Sequence, residues 1–463
     1  MNISEYLKGL GLPTVDDAYR DRIDLWMGWY AGKVSQFHRY SVFNGIRQIG
    51  VERASLNMAK TVAEDWANLL LNERVQICVD GDAAQRRLDA LLLLNRFEVY
   101  GNRTVELAFA SGTGAFTQYR DADGASRIDY HDARDIWPLS WSRGQIIECA
   151  FSDAQRVRGR KCVYLRMYRL NDDGTYRIEN RWLDDETGEP VAPPEGVMEV
   201  VQTGMRVPLF QIITPNLANN VDSGCPLGIS VFANAIDALK GVDVCYDSFR
   251  NEFILGRKRL MVPVSMVKLR MEQDGVQSPM FDPNDLVYTA YQPSEDQKDG
   301  FHDLSPEIRA EQHLTGLRTQ LSMLSTKCGL GTSRYEFDRA SGVRTATEVI
   351  SEQSDLYQSM RKHELVLRDA LTGLVRALLA LEGLDAGDVR IVFDDSIIQD
   401  RSTLRAEARE EVAAGLMSKY RYLTEIVGLN AQDAQEEIER IRAEGSISAE
   451  AMDFFSVRGA ETP

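Results

Sequence analysis

Between residues 226 and 383 the sequence starts a long helical apolar stripe, breaks it, resumes it, breaks it again and starts a third. Ile229, Phe232, Ile236, Leu239, Tyr246, Phe249 and Phe253 recur at three- and four-residue steps, the spacing that lines one helix face. It predicts a helix over 226–256, roughly 45 Å long at 1.5 Å per residue. Asp243 interrupts this stripe, while Asp237, Lys240, Asp247 and Arg250 fall on the opposite side. A second helix is predicted from Ser305-Pro306, a hydroxyl N-cap followed by proline at the first helical position. Its apolar side carries Leu314, Leu317, Leu321 and Leu324. Between them Pro263, Pro279, Pro283 and Pro293 exclude a continuous helix, so 257–304 reads as a strand-and-loop insertion. A third helix starts at the capping box Thr345-Ala-Thr-Glu348. It runs to about Gly383 behind Val349, Gln353, Leu356, Met360, His363, Leu367, Leu371, Leu374, Leu378 and Leu381. Such helices are longer than a small domain needs and act as struts.

The remainder is mixed, giving an α+β chain. The first ~95 residues read as helical: over 51–72, Leu56, Ala59, Val62, Ala63, Trp66, Leu69 and Leu70 share one face. Trp26, Trp29 and Tyr30 read as packing anchors. From about 100 to 215 the pattern changes to short strands. Turns at 121–124, 171–175 and 184–188 place glycine after Asp, Asn or Thr, supplying the positive φ of tight hairpins. The Asp121/Asp123 pair is no calcium loop, since its glycine comes fourth and no Glu closes it. A strand over 389–396 leads into a helical tail from 402 to 444, with a turn at 428–430 and a charge-dense, solvated face at 436–444.

Composition narrows the function classes. The 463 residues carry 53 Lys+Arg against 70 Asp+Glu, a formal charge of −17, which argues against a protein that wraps DNA through its phosphates. The apolar cluster Leu91–Leu94 is cut off by Asn95-Arg96, far short of the ~18 residues of a membrane helix. The start MNISEYLKGLGLP lacks a basic region followed by an apolar one, so the expectation is a soluble chain made in a cytosol. The 6 cysteines are scattered without a C-x-x-C pair, and the 5 histidines do not cluster. Reduced thiols and no metal or other cofactor are expected.

The catalytic templates fail in turn. Gly329-Leu-Gly331-Thr-Ser-Arg334 lacks the lysine of a phosphate-binding loop. His363-Glu364 continues to no second histidine, and Gly228-Ile-Ser230 is no nucleophile elbow. Asp394 and Asp395 are adjacent on a strand, so their side chains point to opposite faces. His363, on a mostly apolar stripe, reads as a hydrogen-bonded packing residue. No catalytic residue is expected.

The order of these pieces resembles the portal proteins of tailed bacteriophages, of the siphophage or prophage type. Four stretches carry the likeness: WMGWYAG followed by MAKTVAEDWANLLLNE; PLGISVFANAIDALKGVDVCYDSFRNEFILGRKRLMV; SGVRTATEVISEQSDLYQSMRKHE; and the tail from FDDSIIQD to NAQDAQEEI. The resemblance covers essentially the whole chain. It implies a ring, commonly of twelve subunits, at one capsid vertex. Double-stranded DNA would be driven through its channel by a terminase and leave by it later. A large-terminase subunit, head–tail adaptors, and the major capsid and scaffolding proteins are the implied partners, with no membrane. Family architecture would make 1–225 a wing, 226–256 and 305–326 stem helices, and 257–304 a clip. Residues 327–344 would be a tunnel loop, 345–400 a long helix with a wing return strand, and 401–463 a crown.

Physical chemistry is compatible with that picture. Paired amphipathic helices can close a rotational ring, and a net acidic lining would let DNA slide without gripping its phosphates. Arg334, Arg339 and Arg344 around the loop, and Arg257, Lys258 and Arg259 at the stem–clip junction, are the candidate weak DNA contacts. The second trio has the alternative of pairing with carboxylates of a neighbouring subunit. Two further readings stay open: a phage-encoded DNA-processing enzyme or hydrolase using Asp394, Asp395 or His363, and another head–tail connector component.

Overall fold

The computed structural model describes residues 3–121, 123–263, 270–271, 277–278, 287–292, 302–335, 346–393, 408–427 and 434–441. The chain divides into two compact units, Met1–Phe393 and Asp394–Pro463. In chain order the first unit opens with helices α1 (Ile3–Gly9), α2 (Asp17–Tyr30) and α3 (Ser35–His38) and strands β1 (Arg39–Phe43) and β2 (Gln48–Glu52). Then come α4 (Met58–Leu70), β3 (Gln76–Val79), α5 (Asp82–Leu94) and α6 (Phe97–Ser111). A strand-rich stretch follows: β4 (Gly114–Arg120), β5 (Ser126–Asp132), β6 (Ile136–Ser142), β7 (Gln145–Val157), β8 (Arg160–Leu170), β9 (Tyr176–Asp184), β10 (Pro190–Val191), β11 (Val200–Gln202) and β12 (Phe210–Ile213). The remaining elements are α7 (Ile236–Leu255), β13 (Leu260–Pro263), β14 (Arg270–Met271), β15 (Gln277–Ser278), β16 (Tyr288–Tyr291), β17 (His302–Asp303), α8 (Ala310–Lys327), α9 (Ala346–Leu381) and β18 (Val389–Val392).

The expected α4 stripe is the centre of the core. Val62, Ala63, Trp66 and Leu70 are buried, with the Trp66 ring against Phe109 of α6 and His363 of α9. However, the helix starts at Met58, because Asn57 takes a left-handed φ of 55° and Val51-Glu52 belong to a strand. β1 and β2 form a hairpin in register Arg39↔Glu52 to Phe43↔Gln48, so the N-terminal region is not wholly helical. Trp26 and Trp29 are buried, as packing anchors should be. Arg96, with φ 49°, closes α5 and redirects the chain into α6.

Three antiparallel hairpins form where turn chemistry predicted them, with Gly124, Gly174 and Gly188 at φ 78°, 80° and 75°. β10-β9-β8-β7-β6 make a six-stranded sheet with β11 also on β9, and β12-β4-β5 a second sheet. Pro138 sits on β6, at the sheet edge, beside a register irregularity; a residue without an N–H belongs there. Leu7 of α1 packs with Leu139, Ala150, Leu165 and Met167 over one face of the larger sheet. The C-terminal half of α9 buries Leu367, Leu371, Leu374 and Leu378, after which β18 pairs antiparallel with β3, more than 300 residues earlier in the chain.

Both helices flanking the insertion begin later than their sequence signals. α7 starts at Ile236, after a 3-10 turn at Ala233–Ala235, so its 20 residues span about 30 Å. α8 starts at Ala310. Ser305 caps no helix, because its hydroxyl and its N–H both bond Asp303. α9 is 36 residues long; the Thr345 capping position lies outside the described residues. In the insertion β13 pairs parallel with β16 and antiparallel with β17. In the second unit, residues 408–413 and 434–441 and Lys419–Arg421 are helical, and Tyr422–Val427 form a π-helical turn. The predicted turn at 428–430 lies outside the described residues.

Candidate functional site

α7 and α8 lie against each other, and two glycines permit the approach. A Cβ on Gly241 would meet the Gln320 side chain, and one on Gly316 would touch Cys245. The two helices are tied where the insertion leaves and rejoins them. Glu252, in the last turn of α7, accepts from Arg309 Nε and Nη2, both at 3.0 Å, and from the Arg309 backbone N–H at 3.1 Å. His313 Nε2 lies 3.3 Å from the same carboxylate. The bonds from Arg309, assisted by His313, hold the Glu252 carboxyl down at about 2. Glu252 thus serves as the missing cap of α8, satisfying a helix-start N–H from across the insertion.

Arg257, Lys258 and Arg259 follow the last turn of α7 and are all exposed. The Arg259 carbonyl accepts from Leu304 N–H, which closes the base of the insertion. At the other end of α8, Gly329 and Gly331 at φ 77° and 78° turn the chain sharply, and the Cys328 carbonyl accepts from Trp66 Nε1 at 3.0 Å. Cys328 and Leu330 are buried, and burial pushes the Cys328 thiol up to about 12. The start of the glycine-rich segment is therefore anchored in the core. Arg334 donates to Asp65 of α4, Nη2 to Oδ1 at 2.8 Å and Nε to Oδ2 at 3.3 Å. Sequence reasoning named Arg334 but not this partner. Arg339 and Arg344 lie outside the described residues.

Asp243, which broke the predicted stripe, is the centre of a buried polar network. Its carboxylate accepts from His38 Nε2 at 3.0 Å, Ser55 Oγ at 2.9 Å and Leu56 N–H at 2.8 Å. On its other side His38 Nδ1 lies 2.9 Å from the Val34 N and 3.1 Å from the Val34 carbonyl oxygen, so both ring nitrogens are engaged. Asp247, one turn on, accepts from Ala54 N–H and from Asn251. It is buried, so it does not belong to the exposed side of α7, where the periodicity had put it. An acidic residue inside an apolar stripe was the signal for this network; its partners, nearly 200 residues away, left no signal.

Of the residues of the enzyme reading, His363 alone is among the described residues. His363 is buried, accepts from Asn216 N–H at 3.0 Å and lies edge-on to Trp66 and Phe109. Burial holds its imidazole down at about 3, so it is neutral near pH 7. The adjacent Glu364 is buried against Arg361. Asp394 and Asp395 lie outside the described residues. Among the described residues no group of three or more His, Cys, Asp or Glu could hold a metal ion, and no helix is long and apolar enough to cross a membrane. Asp121 is taken by Arg127 at 2.6 Å. The six cysteines are free thiols.

What remains is a framework of braced helices and a core-anchored loop with basic residues at two places. Residues 12–451 match a phage portal protein family, SPP1 Gp6-like, and the chain belongs to that family. No curated protein matches it.

Proposed function

We propose that copies of this portal-family chain close into a ring at one capsid vertex. Through its channel a terminase motor drives double-stranded DNA in, and the DNA later leaves by the same way. The carrying observation is the family match over nearly the whole chain, and the braced pair α7/α8 around an insertion supports it. In this reading 1–225 is the wing, 226–256 and 305–326 the stem and 257–304 the clip that docks terminase and then head–tail adaptors. Residues 327–344 are the tunnel loop, 345–400 the long helix with the return strand and 401–463 the crown. Capsid and scaffolding proteins surround the ring at its vertex. Twelve subunits is the number the family commonly uses.

The electrostatics suit conduction better than gripping. A chain of −17 repels the duplex backbone, so DNA slides, and only a few cations make sequence-blind contacts. Arg257, Lys258 and Arg259 are exposed for such contacts or for a neighbour's carboxylates. Arg334 meets DNA only by sharing its charge with Asp65.

Light scattering and negative-stain images of the purified protein test this. The expected result is a particle of ring symmetry with a central opening wide enough for a duplex. A stable single subunit under all assembly conditions refutes it.

A further inference from the structure

The β1–β2 hairpin is rigidly rooted yet uncovered. At its root, Arg53 N–H donates to His38 O at 2.7 Å and Arg53 Nη1 to Phe37 O, while His38, Ser55, Leu56 and Ala54 are all tied to Asp243 or Asp247 of α7. Beyond the root the strands are almost wholly exposed. The register pairs Tyr40 with Val51 and Val42 with Ile49, and alternation puts these four on one apolar face. Phe43 is 60% exposed and Ile46, in the turn, 87%. A two-stranded sheet is marginal by itself in water, and a contiguous apolar face of this kind marks an interaction surface. The hairpin is also basic at its tip, where Arg47 follows Ile46 with no acidic residue between Arg39 and Val51, in a chain whose formal charge is −17.

The same unit carries a surface of opposite character. A groove of about 610 Å³ runs between β3, α5 and the start of α6. Its apolar lining includes Leu92, Leu93 and Val99, with Leu93 80% exposed. Three carboxylates, Glu73, Asp89 and Glu98, line it against a single arginine, Arg96. The edge of β3 is blunted for strand addition, since Gln85 already bonds Val79 N–H and Ile77 O. The groove therefore offers side-chain pockets rather than a ladder edge.

We propose that the hairpin is an assembly arm whose apolar tip, with Arg47 beside it, seats in the β3–α5 groove of the next copy of this chain. This rests on the ring reading above. Two different, complementary patches on one polypeptide make a head-to-tail contact, and a head-to-tail contact repeated by rotation closes a ring. Opposite charges choose the partner, since an acidic chain offers few basic surfaces for an acidic groove. The rigid root removes the ordering cost that a floppy arm would bring to each contact.

Cys78 lines the groove and is a free thiol, which supplies the test. Phe43→Asp with Ile46→Asp should lower the assembled fraction at least tenfold by analytical ultracentrifugation, with the far-UV circular dichroism of the parent, because these side chains are mostly solvent-facing. Ile46→Cys, assembled and mildly oxidised, should give a ladder of cross-linked multimers on non-reducing gels, and adding Cys78→Ser should abolish it. The proposal is overturned if the aspartate variant assembles like the parent, if no ladder forms, or if the ladder survives loss of Cys78. It is equally overturned if the variant closes rings but fails only to attach another virion protein. A parent that forms no ring removes the ring reading itself, whereas an undisturbed ring in the aspartate variant removes the arm alone.

Discussion

Replacing Asp243 by alanine should destabilise the Met1–Phe393 unit by about 4 kcal/mol. Asp243 is 3% exposed and accepts three hydrogen bonds, from His38, Ser55 and Leu56. His38 is itself buried, so its stranded Nε2–H would lose a charge-assisted bond with no water to replace it, costing about 2–3 kcal/mol. Ser55 and the Leu56 N–H are half-buried and recover some solvation, so each adds about 1 kcal/mol or less. A unit of 393 residues has an unfolding entropy of about 0.8 kcal/mol/K, so Tm should fall by about 5 °C in calorimetry. The damage should also be local. Hydrogen exchange should speed up from His38 to Asn57, the root of the hairpin, with little change in the six-stranded sheet. A Tm loss under 1 °C, or faster exchange spread evenly over the unit, would refute the reasoning.

Gly112→Ala should cost ~3 kcal/mol or more, because Gly112 has φ 92° and a Cβ would sit 2.4 Å from the Gly228 carbonyl; Gly9→Ala, into open space, should change stability by about 1 kcal/mol or less, both read by urea unfolding. Burial makes His363 bind its proton far less readily in the folded chain, at about 3, than an ordinary histidine does at 6.5. Its contribution is therefore complete above pH 6.5 and declines as pH falls toward 3, by about 2 kcal/mol at pH 5. His363→Phe lacks that loss, so its Tm deficit against the parent should narrow between pH 7 and pH 5. Glu252→Gln should raise hydrogen exchange in the first turn of α8; in the parent the same link, held by a carboxyl lowered to about 2, is present above the ordinary carboxyl value of 4.5 and released as pH falls toward 2. Arg334→Gln with Arg339→Gln should leave ring mass unchanged and reduce the length or yield of packaged DNA, and normally filled heads would show that these arginines do not meet the duplex.

Where the physics is local, the residues alone were enough. The three hairpin glycines were legible because Asp or Asn before a positive-φ glycine closes a turn within four residues, whatever surrounds it. The Trp66 and Leu367–Leu378 stripes were legible because burial needs only period and composition. The portal family itself was legible through a resemblance carried by four stretches of sequence, and the family match over residues 12–451 bears that resemblance out.

Tertiary structure decided everything that depends on a distant partner. Ser305-Pro306 has the local signature of a helix start, but the helix begins later, where Glu252, 57 positions earlier in the chain, caps it. Residues 48–52 pass for helix until β1 pairs with them. Asp243 reads as a break in the apolar stripe and Asp247 as part of the polar side, and only His38, Ser55 and Ala54, close in space, make both of them buried acceptors. Arg334 reads as a free cation until Asp65 is set beside it. The reason is the same in each case: turn and stripe energies are summed over neighbours in the chain, whereas a buried charge is stable only once particular groups, remote in sequence, replace the water it has lost.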